Sequence, residues 1–389
     1  MISDIRRLSE TVGGRGSCTP GERHAGEYIA EELRQLGAQD VQSEPFQAIP
    51  STYWPFGLGF AAAFTGSLIS LIYTGPGALF LGAVYNGLGF WAMFAETELA
   101  SSWTHWILSK AKSQNITARI PPSGAVKGRA VLCAHIDSHR TPVFYSSKAW
   151  TALFSAIIAF TFLSMLAGAV GFGLGTLLSW PWARWLGLAT ALVQGFALGM
   201  CLHADFTPFS PGANDNASGV AVTLALAKEL SKNPLLHTDA YLVITGCEEV
   251  GAYGMAAYLE QHAAQLGPET VYIILDQVGA GRIKFLTADG LLIKHKTHRD
   301  ALRLAREIVK ARPELDAYEG VGIAYTDALH ATKRGLKALT LCTMPVKGTT
   351  GSAHWHQMSD TLEHVIPADL DKVFAFTREI FTSVDRSSG

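Results

Sequence analysis

Two kinds of pattern alternate along this chain. From Pro45 through Ala95 there is no Asp, Glu, Lys, Arg or His, and the same is true of Ala149–Ala183 and, after Arg184, of Trp185–Leu202. Within the first run, Phe56–Tyr73 and Ala78–Ala95 are continuous apolar stretches parted by Thr74-Gly75-Pro76-Gly77, a turn sequence. The second run is parted by Pro181-Trp182-Ala183-Arg184-Trp185, with tryptophans where an interfacial belt favours them. Each stretch reaches the roughly 18 apolar residues needed to cross a bilayer. Helices apolar on every face, rich in Gly and Ala and paired across short turns, fit lipid better than they fit a soluble core or a dimer interface. The pattern predicts transmembrane helical hairpins over 51–95 and 149–202.

The remainder, 1–50, 96–148 and 203–389, is polar and periodic. Gly21–Gly37 places Ala25, Ile29, Leu33 and Leu36 at helical spacing and stops at a glycine. Ala130–Ile136, Ala240–Cys247, Val271–Leu275 and Ala338–Met344 are Val/Ile/Leu-rich and too short for helices, which suits strands buried on both faces. Between them lie helical patterns at Ser218–Lys232, Tyr253–Leu266, His298–Ala311 and Ala368–Phe381. The expected fold class is α/β, a mostly parallel mixed sheet with helices on both faces, interrupted by the two apolar hairpins.

Composition agrees with this division. Of 389 residues 48% are hydrophobic and only 16% charged, which is apolar for a soluble enzyme and is accounted for by the hairpins. The net charge of −2 and the lack of any Lys/Arg-rich run offer no face for nucleic acid. The five cysteines, Cys18, Cys133, Cys201, Cys247 and Cys342, are odd in number and never form a CxxC pair. They read as buried thiols of a reducing compartment, not as a disulfide framework or a zinc finger. The segment MISDIRRLSETVGGRGS has no apolar core for a signal peptide. Lys110, Lys112, Arg119, Arg140 and Lys148 lie where the chain returns to its polar part, against Arg184 on the far side. The positive-inside rule then places a multi-pass protein with its polar domain in the cytoplasm.

Acidic and histidine residues gather at the strand ends. His135-Ile136-Asp137 closes the first strand, Glu248-Glu249 the second and Asp276 the third. Asp215, in Pro211-Gly212-Ala213-Asn214-Asp215-Asn216-Ala217-Ser218-Gly219, precedes a helix, and His356 precedes Asp360-Thr361 after the last strand. Sites in such sheets form at the carboxyl ends of the strands, so five residues arriving at one edge make a candidate metal centre. A zinc pair needs a bridging carboxylate plus separate His and carboxylate ligands. Adjacent Glu248 and Glu249 suit a division of labour in which one binds metal and the other holds a water. Asp137 is placed to accept the imidazole N–H of His135 that faces away from metal.

AHIDSH, PGANDNASGV, CEEVGAYG, ILDQVG and HQMSDT resemble, in order, the signature blocks of the co-catalytic zinc aminopeptidases. That group includes bacterial leucyl aminopeptidases and is related to glutamate carboxypeptidases and glutaminyl cyclases. The GERHAGEYIAEELRQLG helix and the TDALHATKRGLKALTL block around Asp327 resemble it too, so the likeness covers the polar part of the chain. It implies two Zn²⁺ ions, with His135 and Glu249 on different ions, Asp215 bridging, and Asp276 and His356 completing the shells. Glu248 would be the general base and then the acid for the leaving amine, with Asp137 orienting His135. The Asp215–Asn216 peptide bond would be cis. The hairpins depart from the family pattern, the second separating Asp137 from Asp215.

The function expected is a membrane-embedded zinc aminopeptidase acting on the N-terminal bond of peptides. A glutaminyl cyclase-like acyltransferase, a carboxypeptidase of the same family and a non-catalytic scaffold are the alternatives; the intact ligand set and base speak against the last. The partners expected are a peptide substrate and the lipid bilayer, with no nucleic acid, and a homo-oligomer is compatible with the pattern. Of the thirteen histidines, His139, His203, His330 and His354 lie near motifs but read as surface or supporting groups, and Tyr325 is a candidate oxyanion donor.

Overall fold

The short apolar runs become the middle of a sheet. The computed structural model describes residues 1–345 and 354–388 and divides into two units, Met1–Pro50 with Lys110–His139 and Phe209–Gly389, and Ser51–Ser109 with Arg140–Pro208.

In the first unit the strands are β1 (Gln39–Ala48), β2 (Ala111–Ile120), β3 (Gly128–His135), β4 (Thr238–Thr245), β5 (Val271–Leu275), β6 (Arg282–Asp289), β7 (His295–Lys296), β8 (Tyr318–Val321) and β9 (Lys337–Met344). Their order is β1-β2-β4-β3-β5-β9-β6-β7, with β8 paired to β6. The central β4, β3, β5 and β9 are mutually parallel, in registers such as Ala130↔Ala240, Ala130↔Val271 and Val271↔Lys337. Their carboxyl ends therefore share one edge. Alternation along β3 explains why it is apolar throughout. Ala130, Leu132 and Ala134 pack with Val220, Leu224 and Ala227 on one face, while Val131 and Cys133 pack with Met255, Tyr258 and Leu259 on the other.

Helix bounds follow local signals. Pro20–Gln35 opens with Pro at its first position, buries Ala25, Ile29 and Leu33, and is followed by Gly37 at φ 83°. Ser218–Lys232 and Tyr253–Leu266 coincide with the periodic segments. Two parts of the sheet lie outside the sequence expectation, the antiparallel β1–β2 pair and β6 with its neighbours β7 and β8, as does a short helix at Ile2–Arg6. β4 also ends at Thr245, two residues earlier than its apolar run, so Gly246 and Cys247 belong to the turn that leads to Glu248.

The second unit contains the helices Tyr53–Ile72, Pro76–Thr97, Lys148–Leu177 and Leu186–Asp205, the last preceded by a short 3₁₀ turn over Pro181–Trp185. By length and composition each can cross a membrane. Leu153, Phe160, Leu163, Leu166, Val170 and Leu174 of the third helix are exposed, a surface that water does not favour. Small residues bring the helices close: a Cβ on Gly89 would lie 2.6 Å from the carbonyl oxygen of Gly59. At the centre, Asn86 donates to the Gly82 carbonyl (2.9 Å) and accepts from Gln194 Nε2 (2.8 Å), while Gln194 Oε1 accepts from Ser67 Oγ (2.8 Å). Gln194 also reaches Ser164 Oγ at 3.3 Å, so the network draws on all four helices.

Candidate metal centre

Each of the five candidate ligands is delivered by a different strand end or loop, and the loops are tied to one another. Ala213–Ala217 enters the Ser218–Lys232 helix through non-helical Asp215 and Asn216, joined by a cis peptide bond. Asp360 holds this turn, accepting the main-chain N–H of Asn214 (2.8 Å) and Asp215 (3.0 Å). Asn216 Nδ2 donates to the carbonyl of Leu275 (2.7 Å), and Asn214 Oδ1 accepts from Gly279 N (2.6 Å). The Asp215 loop is thereby fastened to the end of β5, where Asp276 begins.

The five residues converge. His135 Nε2 is 3.3 Å from Asp215 Oδ1 and 3.6 Å from Asp276 Oδ1. His356 Nε2 is 3.4 Å from the other oxygen of Asp215, Oδ2, and 3.3 Å from Glu249 Oε2. Asp215 thus faces a different imidazole with each carboxylate oxygen. His135, Asp215 and Asp276 form one group of ligand atoms close enough to hold an ion, and Glu249 and His356, with His139, form another. Glu248 is beside them, Oε2 4.0 Å from His135 Nε2. All of these residues are buried or nearly so.

Asp137 takes a more specific place than its spacing suggests. His135 Nδ1 lies 3.1 Å from the carbonyl oxygen of Asp137 and 3.6 Å from its Oδ1. The carboxylate itself accepts the main-chain N–H of Glu248 through Oδ1 and of Glu249 through Oδ2, each at 3.1 Å, and the Ser17 hydroxyl at 2.6 Å. Asp137 therefore fixes both the imidazole and the Glu248–Glu249 turn.

The electrostatics fit a cation. Burial, with the Asp215 charge adding, pushes Glu249 up to about 7, and burial raises Glu248 well above the carboxylate range with Glu249 contributing. Burial also raises Asp276, opposed by its contact with His135. Burial works against ionised His356, yet the Glu249 and Asp215 carboxylates outweigh it and lift the imidazole to about 9. Buried oxygens Glu249 Oε1 and Asp276 Oδ1 have no hydrogen-bond partner among the described residues. Acceptors that are buried, crowded and unpartnered cost free energy unless positive charge arrives. The O and N donors suit a hard-to-borderline divalent ion such as zinc.

Two residues outside the predicted site belong here. His139 is buried and its ring stacks on His356 with centroids 3.7 Å apart and planes 9° apart; its place four residues after His135 was the available signal. Arg15 is wholly buried with no side-chain acid bonded to it among the described residues. It donates to the carbonyls of Ile136 (2.8 Å), Leu8 (3.0 Å), Gly13 (3.2 Å), Pro211 (2.7 Å) and Gly212 (2.8 Å). Nothing in its Gly-rich surroundings marked it. The other histidines stand apart: His354 Nδ1 pairs with Ser359 Oγ at 2.8 Å and stacks on His364, His330 is half-buried against the Gly251 carbonyl, and His203 lies in the Leu186–Asp205 helix. Tyr325 precedes Thr326 and Asp327; Thr326 Oγ1 donates to Asp289 at 2.6 Å.

Residues 195–380 match peptidase family M28. The match takes in Asp215, Glu248, Glu249, Asp276 and His356, while His135 and Asp137 lie before it, across the second apolar insertion. The aminopeptidase YwaD of Bacillus subtilis (strain 168) is 38% identical over 78 residues, 20% of this chain and 17% of that protein. The match thus spans under a fifth of this curated relative's length. Among solved structures, BSAP, a zinc aminopeptidase from Bacillus subtilis, is similar with a TM-score of 0.59 at 16% identity, over 97% of this chain and 93% of that one. The glutaminyl cyclase of Porphyromonas gingivalis is similar with a TM-score of 0.56 at 16% identity, over 98% and 96%. Residues 195–380, just under half of the chain, are thus similar to peptidase family M28, and the chain shares the fold of these zinc aminopeptidase and glutaminyl cyclase structures.

Proposed function

We propose that this protein is a membrane-embedded, two-zinc aminopeptidase that hydrolyses the N-terminal bond of short peptides. The observation that carries the reading is the placement of Asp215 between His135 and His356, one carboxylate oxygen toward each, with Asp276 on one side and Glu249 on the other. His135 and Asp276 would hold one ion, Glu249 and His356 the second, and Asp215 both. Bound zinc supplies Lewis acidity, which brings water toward a pKa of about 7 and polarises the scissile carbonyl.

The chain's own groups do the rest. Glu248 lies beside the ligands without being needed to complete either set, so its carboxylate is free to take a proton from the attacking water and return it to the departing amine. Asp137 keeps Glu248 and Glu249 in place through their main-chain N–H groups, so base and ligand are set by one carboxylate. Burial excludes bulk water from the proton transfer.

Support for the membrane part comes from the four apolar helices and their exposed apolar side chains. A cytoplasmic side for the peptidase domain is supported by the Lys/Arg asymmetry. Protein that stays in the supernatant of a detergent-free lysate after high-speed centrifugation would remove the membrane part. Likeness to a glutaminyl cyclase keeps a second reading, and one assay separates all of them. Free-amino peptides, their N-blocked forms and peptides with N-terminal Gln are incubated with the protein, with and without chelator. Chelator-sensitive release of the first residue from free-amino peptides alone is expected. Cleavage of N-blocked peptides from the carboxyl end, or ammonia release with ring closure of N-terminal Gln, would replace the aminopeptidase reading.

A further inference from the structure

Outside the ligand set, one pair of reactive groups stands close to the site and has no part in the chemistry above. Cys18 and Cys247 are 229 positions apart in the chain, yet their sulfurs are 3.4 Å from one another, and both are free thiols. Neither lies in a helix or strand, and both hold a left-handed backbone, at φ 61° and φ 55°, which side-chain-bearing residues adopt only when the surroundings impose it. The surroundings do so through Glu22. This buried carboxylate accepts the main-chain N–H of Cys18 (2.8 Å) and of Cys247 (2.9 Å), and the Ser113 hydroxyl (2.9 Å). A third group thus fixes the two thiols side by side.

Their position links them to the metal centre. Cys247 immediately precedes Glu248 and Glu249. Cys18 immediately follows Ser17, whose hydroxyl donates to the Asp137 carboxylate that holds those two glutamates. Cys247 is buried and Cys18 partly exposed, so a small reagent meets Cys18 first. A disulfide needs the sulfurs at about 2.05 Å, so closure moves them together by roughly 1.4 Å.

We propose that Cys18 and Cys247 form a dithiol site for small-molecule disulfides, and that its closure displaces the Glu248–Glu249 turn and lowers activity. The sulfur of Cys18 attacks one sulfur of the reagent RS–SR, the reagent's S–S bond breaks, and one RSH leaves carrying the Cys18 proton. The sulfur of Cys247 then attacks Cys18 in the mixed disulfide, and a second RSH leaves carrying the Cys247 proton. The protein is oxidised by two electrons and the reagent reduced by two, so no other oxidant is required. The effect on activity rests on the peptidase reading, whereas the bond itself does not.

The test uses the full chain in detergent, treated with oxidised glutathione and then with dithiothreitol. Peptide mapping by mass spectrometry reads the bond, and peptide turnover is followed in parallel. The expected result is a Cys18–Cys247 crosslinked peptide and turnover lowered on the order of 10²-fold, the size of effect that a displacement of about 1 Å produces. Both reverse with dithiothreitol, and Cys18→Ser gives no crosslink and keeps its turnover in oxidised glutathione. A glutathione adduct on Cys18 without the crosslink, or a crosslink with unchanged turnover, would overturn the proposal. Should the reduced protein lack peptidase activity altogether, the crosslink still decides the dithiol site, and the failure belongs to the peptidase reading.

Discussion

Replacing Arg15 with Met keeps most of the side chain's length and removes its charge and all of its donors. Five main-chain carbonyls then lose a partner, those of Leu8, Gly13, Ile136, Pro211 and Gly212. A net contribution of about 1 kcal/mol per bond gives roughly 5 kcal/mol. Because these bonds share one donor group and loss of neighbours is not additive, an effect on the order of 3–5 kcal/mol is the better figure. At roughly 2–4 °C per kcal/mol for a domain of this size, the melting temperature of the metal-free protein should fall by about 6–20 °C. Burial lowers the guanidinium to about 10 against the pull of Asp360, Asp137, Asp215 and Glu249, so it is charged at neutral pH and balances that acidic cluster. Zinc supplies the same positive charge, so the zinc-loaded variant should lose less than the metal-free one. Differential scanning of parent and Arg15→Met with zinc and with chelator measures both. A metal-free variant that melts with the parent would refute this role for Arg15.

Glu248→Gln should retain zinc and lose peptide hydrolysis by at least about 10²-fold, the usual worth of a positioned base; turnover equal to the parent's would refute the base assignment. In the helical unit, Asn86→Leu removes interhelical bonds worth about 0.6 kcal/mol each, and up to about 1.7, so unfolding in detergent should shift by on the order of 1–2 kcal/mol, and no shift would show the network to be incidental. Asp385 is opposed by burial, but the main-chain N–H groups of His237, Leu236 and Thr238 outweigh it and hold the carboxyl below its ordinary value. Its contribution to stability is present above the unfolded carboxylate pKa and is lost as pH falls through the depressed folded value. The gap in melting temperature between the parent and Asp385→Asn should therefore narrow on acidification below about pH 4, and a constant gap would contradict this.

The residues legible in the sequence were those whose surroundings are strand ends. β3, β5 and β9 are buried on both faces and so read as apolar runs, and parallel pairing then forces His135, Asp276 and the carboxyl end of β9 to one edge. The apolar helices were legible because a helix long and apolar enough to cross a bilayer leaves an uninterrupted run of roughly 18 or more residues in the sequence. β1, QDVQSEPFQA, was not, because it is largely exposed and its polar residues show no alternation. Arg15 was not legible for a different reason. A charged residue in a glycine-rich segment reads as solvated, and only the folded loops bring five carbonyls around it. The contact of Cys18 with Cys247 and the stacking of His139 on His356 are likewise products of tertiary structure. Sequence spacing carries no distance between loops.

The central claim is a two-ion centre with Asp215 shared between the ions. Elemental analysis of the full chain, loaded with zinc and freed of excess, tests it directly beside the Asp215→Asn variant. About two zinc ions per chain in the parent, as two-metal sites hold, and loss of both in the variant are expected. One ion per chain in fully loaded parent protein, or a variant that keeps both, would contradict it.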